Sequence, residues 1–237
     1  MNLDRVTITG ADDSIAPRGM RAISERYPWV EWGILFSFKR QGQPRFPSIQ
    51  WIANMVVELS ETDMRFSAHL CGSWVGDLVK SAKFEFKDAF PRVWPIFQRI
   101  QLNFHGQYHK AHDNFMPLLH QYGTKDWIFQ HDDQNDGLIQ HFIDQKKARV
   151  YPLFDMSGGA GIVPPVWPKA LGEYCGYAGG LGPDNVNEEL SRISAVVGHH
   201  QRVWIDMETR VRSDDDKQLS IGRVLKVLEQ CAPWVTR

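Results

Sequence analysis

The sequence predicts a single-domain (β/α)8 TIM barrel, a closed sheet of eight parallel strands spanning residues 1–237. Three observations lead there. Short β-branched or aromatic runs alternate with stretches of helical periodicity along the whole chain, which points to parallel pairing. Strand starts recur about every thirty residues, the spacing of a barrel of roughly 250 residues divided among eight βα units. No Asn-Gly hairpin signal joins neighbouring strands. The competing fold is an open, doubly wound sheet, and no Gly-x-Gly-x-x-Gly follows the first strand to support its dinucleotide-binding form.

The elements can be justified in order. Val6–Thr9 is a β-branched run closed by Gly10, and Pro17 opens a helix reaching Tyr27. Val30–Ser37 is the second strand. Pro47 opens the next helix, whose inner face is expected to carry Ile49, Ile52, Val56 and Leu59. Arg65–Cys71 is the third strand. The segment with Pro91 and Pro95 that follows reads as one interrupted helix or two short ones. Ile100–Phe104 is the fourth strand, with a helix around Asn114–Tyr122. Asp126–Gln130 is the fifth, followed by a helix over Gly137–Lys147. The sixth strand is Tyr151–Phe154, ending on Asp155. Pro164, Pro165 and Pro168 leave room for only a short helix after it. The seventh lies near Cys175–Ala178. Asp184 is the expected N-cap of a helix carrying Val186, Leu190, Ile193 and Val197 on one face. Val203–Asp206 is the eighth strand, and the last helix is expected to turn Ile221, Leu225 and Leu228 inward.

Composition narrows the partners. With 43% hydrophobic residues in 237, one domain can bury a full core. Lys plus Arg (27) balance Asp plus Glu (28), so nothing general favours nucleic acid or an acidic membrane, and any anion recognition must be local. Cys71, Cys175 and Cys231 form neither a metal spacing nor an even disulfide set, which suits a reducing compartment. The chain starts without an apolar signal region, and no apolar run approaches the roughly 18 residues that span a bilayer. The expectation is a cytoplasmic protein with no cofactor, acting on a small molecule.

In such a barrel the chemistry sits at the carboxyl ends of the strands. Those ends carry Thr9, His69 and Cys71, Gln101 and Asn103, Gln130 and Asp132, Asp155, and Asp206 with Glu208. Period-two alternation turns the members of each pair to the same side, so His69, Gln101, Asn103, Gln130 and Asp206 are expected to line a substrate pocket. Two glycine-rich turns, Gly158-Gly159-Ala160-Gly161 and Gly179-Gly180, offer backbone N–H groups without a Cβ in the way, which suits phosphate. Arg210 and Arg212 can add charge. A divalent metal held by some of His69, His105, His131, Asp132 and Asp155 is a rival use of the same groups. No ligand spacing supports it, and no metal is expected.

These residues resemble the phosphoribosylanthranilate isomerase family. Phe154-Asp155-x-Ser157-Gly158-Gly159-x-Gly161 is similar to its strand-six segment, and Ala178-Gly179-Gly180-Leu181-x-Pro183-x-Asn185-Val186 to its phosphate-binding turn. Ile205-Asp206 and then Glu208-Thr209-Arg210 stand where the family has an Asp and a Ser-Gly phosphate turn. The resemblance implies a barrel that isomerises a phosphorylated sugar, with Asp155 as general acid and Thr209 and Arg210 at the phosphate. The family's general base is a cysteine before glycine on the first strand, and this chain has Thr9-Gly10. A threonine hydroxyl cannot take that part near neutral pH without a strong partner, so beside Thr9 the candidates for it are Cys71 and Asp132. A barrel that only binds an anionic metabolite, and a metal-assisted epimerase or aldolase, are the alternatives.

Overall fold

A computed structural model describes residues 1–104, 112–132, 134–145, 149–155 and 160–235, with only the backbone of His112. Eight parallel strands close into a barrel in sequence order. They are β1 (Asn2–Thr9), β2 (Val30–Ser37), β3 (Arg65–Cys71), β4 (Arg99–Leu102), β5 (Asp126–His131), β6 (Val150–Phe154), β7 (Tyr174–Ala178) and β8 (Arg202–Met207). Between them run α1 (Pro17–Arg26), α2 (Ile49–Leu59), α3 (Ser73–Ser81), α4 (Phe86–Ala89), α5 (His112–Gln121), α6 (Asp136–Gln145) and α7 (Val186–Val197), and α8 (Ile221–Cys231) follows β8. No helix among the described residues is long and apolar enough to cross a membrane.

The pleat divides each strand into two faces. Ile8, Trp32, Ile34, Phe66, Leu70, Ile100, Phe129 and Ile205 all join the apolar layer between sheet and helices. The alternate residues point into the barrel, and there the composition departs from the usual stack of branched apolar side chains. Among the described residues, Ile128, Leu153, Tyr174, Ala178 and Trp204, with Tyr151 against them, form an apolar cluster of their own. Apart from Leu35, most of the remaining inward residues described are polar: Thr7, Thr9, Glu31, Ser67, His69, Arg99, Gln101, Gln130 and Asp206 are all buried.

Glu31 holds the lower interior together. Thr7 Oγ1 donates to it at 2.9 Å, Arg99 Nη1 at 2.9 Å and Arg5 Nη1 at 2.9 Å. The Arg99 guanidinium also lies over the Trp204 ring, 4.2 Å from its centroid. Trp204 in turn lies across Gly176, where any Cβ would collide with its indole. That is why a glycine interrupts the seventh strand.

Several local expectations change. The inner face of α2 is Trp51, Ile52, Met55 and Leu59, while Ile49 is exposed, because Ser48 rather than Pro47 begins the helix, its side chain accepting from Trp51 N. On α8 the buried set is Val224, Val227, Leu228 and Cys231, and Ile221 is exposed at the first turn. The segment after β3 is two short helices, α3 and α4, with a 3-10 turn at Trp94–Ile96. It packs edge-on aromatic rings, Phe36 against Phe86, Phe90 and Phe97, where a longer helix would have supplied aliphatic side chains. No helix follows β6 among residues 160–173. The prolines there cannot donate, and Trp167 Nε1 instead ties the segment to Glu189 on α7 at 2.7 Å. Asp184 does not cap α7: Asn185 stands at the N-cap, and Asp184 reaches Lys226 at 2.9 Å.

Candidate active site

A cavity of about 260 Å³ opens at the carboxyl ends of the strands. Its lining includes Thr9, His69, Cys71, Gln101, Asn103, Gln130, Asp155 and Asp206 from the strands or their ends, and Gly161, Gly179, Gly180, Thr209 and Arg210 from the loops. Closure of the barrel therefore brings together most of the residues expected at the mouth. Gly158 and Gly159 lie outside the described residues, as does His105.

Asp132 is not part of the lining. Its Oδ1 accepts from the backbone N–H groups of Gln134 at 2.9 Å and Asn135 at 3.0 Å, ahead of α6. The turn, not the pocket, holds this carboxylate, which removes it as a base. Cys71 lines the pocket, but burial pushes its thiol up to about 12. It remains a thiol near neutral pH, accepting from Asn103 Nδ2 at 3.3 Å.

Thr9 has a definite partner. Its hydroxyl donates to Asp206 Oδ1 at 2.6 Å, and His69 Nδ1 lies 4.0 Å from Asp206 Oδ2. Burial, reinforced by the nearby carboxylates of Glu208, Glu31 and Asp155, raises the Asp206 carboxyl to about 8 against the lowering effect of the Thr9 bond. Burial also lowers His69, to about 3, so its imidazole is neutral. These groups fit only because position 33 is glycine: a Cβ there would collide with Thr9 Oγ1 and come within 2.9 Å of His69 Nε2. A glycine in mid-strand was the signal in the sequence for that close approach.

Asp155 ends β6 and accepts from Gln130 Nε2 at 2.9 Å. Across the mouth, the loops after β6, β7 and β8 pack tightly. A Cβ at Gly180 would lie 2.5 Å from Val163 N, and one at Gly182 would lie 2.5 Å from Arg210 Cβ. Loop packing thus accounts for part of the glycine content read as a phosphate signal. Asn185 fixes the turn, its Oδ1 accepting from Gly182 N and its Nδ2 donating to the Gly180 carbonyl, both at 2.9 Å.

Arginines frame this side of the mouth. Arg212 is fully buried against Asp12 and the Gly10 carbonyl, so it is a strut between loops rather than an anion ligand. Arg45 spans Glu208 at 2.6 Å and Asp216. Among the described residues, Arg40, stacked on Phe46, and Arg210 make no ion pair. Sequence reading passed over Arg40 and Arg45, which belong to a polar loop and become part of the pocket only when β1, β2 and β8 adjoin. Among the described residues, no three His, Cys, Asp or Glu side chains converge as a metal site. His131 is instead directed at Asp136, 2.8 Å away.

No family model and no curated protein sequence matches this chain.

Proposed function

We propose that the protein is a sugar-phosphate enzyme of isomerase type, acting by acid–base chemistry between two carboxyl groups at the ends of β6 and β8. The observation that carries the reading is Asp206: a buried carboxyl bonded to Thr9, without a cationic partner among the described residues, titrating near 8 at the floor of the cavity. A group whose pKa lies close to ambient pH can take and return a proton, which aldose–ketose isomerisation requires when hydrogen moves between neighbouring carbons. Asp206 takes the role of base, the part for which Thr9 is unsuited. Asp155, held by Gln130, supplies the acid. His69 stays neutral beside Asp206 and adds no competing charge.

The phosphate would lie against Gly179, Gly180, Gly161 and Thr209, with Arg210 free to approach it, near the loops where barrels commonly hold phosphate. A cavity of about 260 Å³ is small beside the roughly 300–1,000 Å³ typical of pockets for drug-sized ligands, which suits a compact metabolite.

The test has two parts. Inorganic phosphate or sulfate should raise the melting temperature of the wild type, and less so that of Arg210→Ala. Turnover of phosphoribosylanthranilate and of simple aldose phosphates should show kcat/KM increasing with pH up to about 8, and Asp206→Asn should abolish it. A bound anion with no turnover of any aldose phosphate would leave a metabolite-binding barrel in place of an enzyme.

A further inference from the structure

The wall of the pocket formed by β4 and β5 carries two carbonyl oxygens that the acid–base pair does not use. Gln101 and Gln130 are 5% and 4% exposed, both line the cavity, and the Oε1 atom of each has no hydrogen-bond partner among the described residues. Their orientation is dictated by their neighbours. Gln130 turns its NH2 group to Asp155 Oδ2 at 2.9 Å. Gln101 ends a relay: the Cys71 thiol points at the His69 carbonyl, Asn103 Nδ2 donates to Cys71 Sγ, and Gln101 Nε2 donates to Asn103 Oδ1 at 3.0 Å. Each relay leaves a carbonyl oxygen over. A buried acceptor without a donor costs about 1–3 kcal/mol, so a pair on adjoining strands at a cavity calls for donors from a ligand.

The arginines of the mouth are confined to one part of it. Arg40, Arg45 and Arg210 all come from the loops after β2 and β8, while no cation of the described residues lines the cavity from β4 or β5. We propose that the β4–β5 wall is a hydroxyl-binding site, in which Gln101 Oε1 and Gln130 Oε1 accept hydrogen bonds from neighbouring hydroxyls of a neutral carbon chain whose anionic end lies toward β7 and β8. This rests on the sugar-phosphate reading for the anionic end only. It makes the two glutamines the residues that distinguish a polyol phosphate from any other phosphate of the same length.

Calorimetric titration with three probes tests the assignment: inorganic phosphate, D-ribose 5-phosphate, and n-pentyl phosphate, which has the same number of carbons and no hydroxyl. The wild type should bind D-ribose 5-phosphate at least tenfold more tightly than n-pentyl phosphate, a difference of about 1.4 kcal/mol. Gln101→Leu and Gln130→Leu should each erase most of that preference and leave the affinity for inorganic phosphate unchanged. Equal binding of the two five-carbon phosphates by the wild type would overturn the proposal with no variant needed, as would leucine variants that keep the preference, or no binding of any sugar. If D-ribose itself binds and inorganic phosphate does not, the phosphate reading fails and the hydroxyl wall stands.

Discussion

The lower interior of the barrel and its mouth are built from the same strands, yet they treat a buried carboxyl in opposite ways. Thr7 makes the contrast direct, since it pairs in register with Glu31 on one side and Asp206 on the other. Each acid receives a threonine hydroxyl of β1, Glu31 from Thr7 and Asp206 from Thr9. Burial would raise both, but Arg99 and Arg5 overcome it at Glu31, whose carboxyl is held below its ordinary value. Asp206 has no cation beside it among the described residues, its neighbours being Thr9 and a neutral histidine, and goes up. The lesson is that burial alone does not set the protonation of an acid: the nearest cation decides.

The largest effect should come from breaking the balanced end. Glu31→Ala strands Arg99 and Arg5 without their carboxylate and should cost about 3–5 kcal/mol in denaturant unfolding, the scale for removing one partner of a buried ion pair. A loss below about 1 kcal/mol would mean that water compensates both guanidinium groups.

Next in size is the seam between the two regions. Gly33→Ala drives a methyl group into Thr9 and His69 and should cost about 1–3 kcal/mol, as over-packing of a filled core does. Because it displaces the Thr9–Asp206 bond, it should also lower ligand affinity more than Gly222→Ala, a helix position with nothing within 4 Å of the added Cβ.

The pH dependence of stability sharpens the contrast at the mouth. The Asp206 carboxyl holds its proton in the folded protein up to about 8, whereas in the unfolded chain it ionises near 3.8. Between those values the unfolded state binds fewer protons, so this group's contribution to stability falls as pH rises through the window and levels off above it. Asp206→Asn keeps the shape without the titration and should therefore melt higher than the wild type at pH 8. The difference should be on the order of 1 kcal/mol or more, since one pKa unit is worth about 1.4 kcal/mol, and should shrink toward pH 4. Equal melting temperatures across that range would place the carboxyl's pKa near its ordinary value.

The smallest effect is at the rim. Arg210→Ala should leave stability within about 0.5 kcal/mol, as surface substitutions do. Its measurable consequence should be weaker binding of inorganic phosphate, with a reduced dependence on salt.

The sequence by itself determined the barrel and most of the strand-borne polar residues that gather at the mouth. Those features depend on local periodicity: His69, Gln101, Gln130 and Asp206 point inward because they follow the pleat of their own strands. Arg5 and Arg99 fall just outside the strands expected from the sequence, Val6–Thr9 and Ile100–Phe104, and nothing in the sequence linked them to Glu31. Only closure of the sheet decided which acid met a cation. Glu31 found Arg99 and Arg5, Asp206 found Thr9, and Asp132 turned away to its own loop. Protonation depends on distances between strands far apart in the chain, and such distances exist only once the barrel has formed.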